Sequence, residues 1–418
     1  MDIAVLSLTA LVIVIVLGIV KPNINIGVIA IAFAYAIGIF VLGLKEKDIP
    51  LLFPANLFLM LVGITLIFGI AYENGTLQIF TNKIVGLVKS KPQFLPIIFF
   101  FITLLISALG PGNIAATALI APIAIATALK AKISPLLMAI MVCTGANAGA
   151  FSPISPTGII GIGLMDKIGV NSKDLSWVVF LASALIQSVS AALAYFVFKG
   201  FLNKHNGEIE IEDSESKKIK LNRNQTITII AIILLIVSLS IFKAPISLAS
   251  FVIASILFVI TKTEDTIKNV PWDAILLVCG VSVLIGILEK AGGLDLATTA
   301  ISKISTSNTV NTVLAFVTGV ISAYSSSSGV VLPAFIPLIP GLIVKLGGGD
   351  ITRMIIAVSV GSHMVDVSPL STLGAICIAC IPAIDRQVIF RKLLIWGLLM
   401  AVFGAILSFI FLDIHILG

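Results

Sequence analysis

Apolar residues in this chain come in runs of about twenty, hydrophobic on every side, unlike the one-sided stripe of a soluble helix. A hydrocarbon core about 30 Å thick takes roughly 20 helical residues to cross. Runs at 3–20, 25–44 and 52–72 therefore predict spans. An amphipathic stretch follows at 76–90, with Lys83 and Lys89 on its polar side, fitting an arm at the membrane interface. Residues 94–129 form an apolar region broken at Gly110-Pro111-Gly112-Asn113. Its two pieces of about sixteen residues are short for full spans, so a re-entrant hairpin is expected. A broken helix at 135–168 and a span at 175–198 complete the first half.

After a hydrophilic linker at 203–224 the order repeats. Spans are expected near 226–242, 246–262 and 272–289, an arm at 294–306, and a hairpin at 309–345 broken at Ser325–Gly329. A broken helix at 350–384 and a last span at 390–412 follow. The repeat is also visible residue by residue. Gly63, Gly69 and Gly75 match Gly280, Gly286 and Gly292 at an offset of 217. Gly112-Asn113 matches Ser327-Ser328, and Pro122 matches Pro337, at 215. The segment Thr144–Gly158 matches Val360–Gly374 at 216, pairing Gly145 with Gly361, Ser152-Pro153 with Ser368-Pro369, Ser155 with Ser371, and Gly158 with Gly374.

The fold class expected is an all-α membrane protein of two repeats, 1–202 and 225–418. Each repeat has three spans, a hairpin that crosses nothing, a broken helix and a final span. Five crossings are an odd number, so the second repeat is inverted and both termini share one side. With the termini outside, 17 of the 26 Lys and Arg fall inside. The positive-inside rule therefore places linker 203–224 in the cytoplasm of an inner-membrane protein.

Composition agrees. The chain is 59% hydrophobic and 11% charged, with a mean hydropathy of +1.18. Soluble domains carry roughly 25% charged residues. Met1-Asp2 lacks the basic region of a cleaved signal peptide, so 3–20 reads as a retained span. The net charge of +6 is scattered among loops and does not suggest nucleic acid. All four cysteines lie in apolar segments. Cys377 and Cys380 form a C-x-x-C without further ligands, so they read as packing residues.

Polar, unwound backbone at membrane depth is tolerated only where it lines a cavity or is buried in protein. Two breaks in corresponding halves point to a transporter's binding site. Helix N-termini there suit an anion, and freed carbonyls suit a cation. The loops hold no Lys or Arg, so an anionic substrate needs N–H groups, hydroxyls, amides and a co-transported cation. Candidate substrate ligands are Asn113, Ile114, Asn147, Ser152, Ser155, Ser327, Ser328, Ser368, Ser371 and Thr372. Candidate ion-coupling groups are Gly112, Asn113, Ser326, Ser328, His363 and Asp366. The four serines at 152, 155, 368 and 371 are also plausible helix caps. His363 and Asp366 have the non-titrating counterparts Asn147 and Ala150 in the first half.

These motifs resemble the ion transporter superfamily, which includes divalent anion:sodium symporters, arsenite permeases and NhaD-type antiporters. The run Gly145-Ala-Asn-Ala-Gly-Ala-Phe-Ser-Pro-Ile-Ser-Pro-Thr-Gly158 looks most like the MatC-type dicarboxylate (malonate) carriers. The resemblance implies a homodimer, an elevator-type transport domain, and a carboxylate site between two Na⁺ sites. Symporter tips typically read Ser-Asn-Thr. Here the first tip keeps Asn113 without either hydroxyl, and the second has Ser327-Ser328-Gly329 without Asn. The second tip thus lacks the Asn of a symmetric second Na⁺ site, and Asp366 or His363 is the candidate replacement, for Na⁺ or for a proton.

The function expected is secondary transport of small di- or tricarboxylates coupled to Na⁺ or H⁺, with no other cofactor. The alternative is a cation/proton antiporter of the same architecture using Asp366. An intramembrane enzyme is disfavoured, since the chain has no H-E-x-x-H and no second aspartate at membrane depth to pair with Asp366.

Overall fold

The computed structural model describes residues 2–21, 24–76, 79, 92–198, 221–240, 242, 244–261, 266–268, 270–323 and 325–414. Among them every regular element is helical. The first half holds α1 (Ile3–Val20), α2 (Ile26–Phe40), α3 (Ala55–Glu73), α4 (Leu95–Ala108), α5 (Gly112–Lys130), α6 (Pro135–Ala150), α7 (Pro156–Lys167) and α8 (Ser172–Val197). The second holds α9 (Arg223–Ser240), α10 (Ile246–Thr261), α11 (Trp272–Lys290), α12 (Gly293–Lys303), α13 (Val310–Ser322), α14 (Ser327–Leu346), α15 (Ile351–Met364), α16 (Thr372–Ala379) and α17 (Ala383–Ser408).

Local sequence sets the helix starts. Asp2, Asn25, Ser134, Asn171, Ser326 and Asp350 each accept a backbone N–H from the first turn that follows. Pro135 and Pro156 occupy first positions, where a missing N–H costs nothing. Helix α8 shows how the surface is built. Trp177, Leu181, Leu185 and Phe196 point outward, while Ser176, Ser183, Gln187 and Ser190 are buried. Large apolar groups outside and small or polar groups inside are the pattern of a lipid-facing helix.

Seven helical stretches among the described residues are long and apolar enough to cross a membrane: α3, α5, α8, α11, α14, the pair α15–α16, and α17. Two of these revise the sequence expectation. α5 has 19 residues and α14 has 20, rather than about sixteen, so both could cross by length. Their partners α4 and α13 are shorter, at 14 and 13 residues. Arg223 begins α9 and is not linker. Residues 203–220 and most of the arm at 76–90 lie outside the described residues, whereas the arm at 294–306 is α12.

The halves are interleaved. α2 packs on α11 and α3 packs on α10. A Cβ on Gly280 would strike the carbonyl of Gly27, and one on Gly63 would strike the Ser250 hydroxyl. Along the first crossing, Asn25 bonds the Asp273 carbonyl at 2.9 Å, and a Cβ on Gly38 would lie 3.1 Å from Ile287. Residue numbers rise together, so α2 and α11 run parallel.

Candidate functional site

Both broken helices turn by the same hydrogen bonds. After α6, the Ser155 hydroxyl donates to the Ala150 carbonyl, and the Ser155 N–H to Ser152 O at 2.9 Å. After α15, the Ser371 hydroxyl donates to the Asp366 carbonyl, and the Ser371 N–H to Ser368 O at 3.0 Å. Each bond is its counterpart shifted by 216 positions. Gly158 and Gly374 are required because a Cβ at either would collide with the carbonyl of Ser152 or Ser368. The breaks are shorter than the sequence suggests. Thr144–Ala150 and Val360–Met364 are helical, and the non-helical turns are confined to Phe151–Ser155 and Ser368–Ser371.

The tips of the α4–α5 and α13–α14 pairs reach these breaks. At the first, Gly110 and Gly112 adopt φ of +134° and +78°, the left-handed region where Gly fits without strain. Asn113 then starts α5. Its Oδ1 accepts from Ile114 N at 3.0 Å, and its Nδ2 donates to Asn147 Oδ1 at 2.9 Å. Asn147 in turn donates to the His363 carbonyl at 2.8 Å, joining the two broken helices. At the second tip, Ser328 Oγ lies 3.2 Å from His363 Nε2 and 3.1 Å from Thr157 Oγ1. The contact of residue 113 with 147 thus recurs as 328 with 363.

The polarity of this second network follows from its end. His363 Nδ1 lies 3.0 Å from the Ser359 carbonyl, which can only accept. In the neutral ring Nδ1 therefore carries the hydrogen, Nε2 accepts from Ser328, and Thr157 donates to Ser328. Beside it, Ser327 donates to Asp366 Oδ1 at 2.5 Å and lies 2.6 Å from Ser322 Oγ. Asp366 is only 5% exposed.

A cavity of about 800 Å³ opens onto these tips. Four helix N-termini meet its wall: Gly112–Ala115 of α5, Pro156-Thr157 of α7, Ser327–Gly329 of α14 and Thr372-Leu373 of α16. The start of α16 has no side-chain cap. No Lys or Arg lines the cavity among the described residues, whereas Asp366 and Asp273 do. Of the sequence candidates, Gly112, Asn113, Ile114, Ser326, Ser327, Ser328, Asp366, Ser371 and Thr372 face the cavity. Asn147, Ser152, Ser155, Ser368 and His363 do not; they are buried behind it, bracing tips and turns. Thr157, Thr65 and Ser325 line the cavity and were not among the candidates. The signal for Thr157 was available in Ser155-Pro156-Thr157, where a cap serine and a first-position proline mark a helix start at the break. No cluster of His, Cys, Asp and Glu fit for a metal ion occurs among the described residues.

Residues 1–150 match the family model for the N-terminus of the dicarboxylate carrier protein MatC. Over this stretch the chain is similar to the MatC dicarboxylate carriers. A comparison with curated proteins finds no match. The MatC match ends at Ala150, the last residue of α6, so it contains the first tip and Asn147 and stops at the first turn. Together with the seven long apolar helices among the described residues, this likeness to a carrier supports an integral membrane protein.

Proposed function

We propose that this protein is a secondary active transporter of small di- or tricarboxylates, coupled to Na⁺ or H⁺. The observation that carries the reading is the meeting of four helix N-termini at one cavity without a basic side chain. Each N-terminus presents unpaired N–H groups and about half a positive charge. Such a wall takes carboxylates by hydrogen bonding while leaving most of their charge uncompensated. Asp366 adds a further carboxyl to the same wall. A bound dianion therefore needs a cation taken up with it, which is the physical basis of symport here.

Two inverted repeats underlie the proposed cycle. The parallel packing of α2 and α11 supports this. If α2 and α3 are successive spans they run opposite ways, so α3 opposes α11, its counterpart in the second half. The charge count puts the termini outside, the linker inside and the two hairpins entering from opposite faces. On that assignment the cavity mouth at Asn25, Tyr72 and Asp273 faces the cytoplasm, an inward-facing state. Tips and turns form one cavity wall, and Thr65, Phe68 and Leu277 of α3 and α11 form the other. Movement of the first wall past the second is the elevator step we infer, within a homodimer.

The reading is tested by uptake of labelled dicarboxylates into proteoliposomes under an imposed Na⁺ or pH gradient. Gradient-driven accumulation above protein-free vesicles is expected. Failure of every di- and tricarboxylate under both gradients refutes it. Asp366 also favours a second reading, cation/proton exchange, which predicts Na⁺-driven proton movement without any carboxylate.

A further inference from the structure

The two walls of the transport cavity also meet at the end remote from its mouth. Tyr72 and Asp273, at the mouth, lie near one end of α3 and of α11. Leu57 and Glu289 lie near the other ends, fifteen and sixteen residues away. At the helical rise this is about 22 and 24 Å. Both remote ends meet α7, which belongs to the opposite wall because its first residues, Pro156 and Thr157, line the cavity beside the tips. Leu57 is buried against Gly163, where a Cβ would lie 3.4 Å from it. Lys167, the last residue of α7, places its Nζ 3.4 Å from Glu289 Oε2.

Nearer the tips the contacts between the walls are apolar. Leu277 of α11 sits against Gly329, and Phe68 of α3 against Gly110, where an added Cβ would collide in each case. Apolar contacts are non-directional, so a sliding wall can exchange one such partner for another. The ion pair is different, because one Lys meets one Glu at a single relative position of the walls. A displacement of more than about 8 Å carries the two charges past the screening length at physiological salt. We propose that Lys167 and Glu289 form a latch that holds the cavity open at the Asp273 end and must part each time the cavity turns to the other face. This rests on the two-wall transport reading above. A contact made in one state only shifts the balance between states by its own strength. Lys167 is 39% and Glu289 57% exposed, so the pair is of the modest surface kind. Its loss should raise the population of the opposite state about threefold without abolishing either state.

The test uses the full-length protein, free of its own cysteines, with Ala118→Cys at an exposed position on the cavity wall. On the topology proposed above the Asp273 end is cytoplasmic. A membrane-impermeant maleimide added to intact cells therefore reaches residue 118 only when the cavity faces out, and its labelling rate reads the opposite state. Lys167→Gln and Glu289→Gln should each raise that rate about threefold. The double variant should raise it no further, since both changes remove the same pair. Lys167→Glu combined with Glu289→Lys should restore the slow rate. Unchanged rates in both single variants, with labelling still seen from both faces, overturn the latch and leave the transport reading standing. Effects that multiply in the double variant, or a charge exchange that stays fast, overturn it equally. Labelling in inverted vesicles but never in intact cells, in any variant, would refute alternation between faces, and the latch with it.

Discussion

Replacing Asn147 by Ala removes the side chain that ties the first tip to the far broken helix. Asn147 is 2% exposed, accepts from Asn113 at 2.9 Å and donates to the His363 carbonyl at 2.8 Å. Each hydrogen bond contributes about 1 kcal/mol net, and a buried group left unpaired costs about 1–3 kcal/mol. The His363 carbonyl also accepts from Val365 N, so its loss is the smaller. The Asn113 amide can turn to the cavity and recover a water. The sum is about 2–4 kcal/mol, a fall of a few degrees in unfolding temperature for a chain this long. The functional effect should be larger, because Asn113 loses the partner that fixes its rotamer at the cavity wall. Carboxylate affinity, measured by isothermal titration in detergent, should fall at least about tenfold, equivalent to about 1.4 kcal/mol. Asn147→Asp should not rescue, since its second oxygen cannot donate to the His363 carbonyl. An Ala variant with wild-type melting temperature and wild-type affinity would refute the bracing role.

Three further outcomes are expected. Asp366→Asn should alter cation dependence more than substrate selectivity. Two unit charges about 6 Å apart repel by about 2.8 kcal/mol at an effective dielectric of about 20, so substrate binding without the coupling ion should tighten up to about a hundredfold; wild-type Na⁺ and pH dependence of uptake in this variant would rule out coupling through it. Thr157→Val should lower dicarboxylate affinity without changing melting temperature by more than a degree or so, because it breaks one hydroxyl–hydroxyl bond at the cavity edge, whereas Ser328→Ala, which also leaves buried His363 Nε2 without its donor, should lower both affinity and melting temperature; unchanged affinity in both would remove this edge from the site. Ser214→Cys in a cysteine-free background should resist impermeant thiol reagents added to intact cells, and labelling there would reverse the proposed topology.

The spans were legible because their only requirement is length and apolarity. The expected 3–20, 246–262 and 272–289 became the helices Ile3–Val20, Ile246–Thr261 and Trp272–Lys290, of which the last is among the seven described stretches long and apolar enough to cross and the first two fall among the shorter apolar helices. The extent of the breaks was not legible, and the glycines were the reason. Gly145 and Gly149 suggested unwound backbone, yet both are helical and permit close approach of α4, since a Cβ on either would strike the carbonyl of Phe100 or Leu104. Gly361 does the same against Ala315. In a medium without water, helix is the cheapest way to pair backbone groups, and small residues then serve contact between helices. The candidate list mixed wall and brace for a similar reason. Nothing in the spacing of Asn147 or His363 says that each serves a tip residue more than thirty positions away.

The interleaving of α2 with α11 and α3 with α10 bears on how the protein is made. When the ribosome has released the first half, the Gly27 face of α2 and the Gly63 face of α3 have no partner, because both partners are still untranslated. The Gly63 face meets Ser250 only after 187 further residues of synthesis, and the Gly27 face meets Gly280 after 253. During that wait they can engage the second half of a neighbouring chain, giving an exchanged dimer with every native contact present. Expressing the halves as separate polypeptides would expose the same dependence: each should be degraded alone and persist when both are produced in one cell.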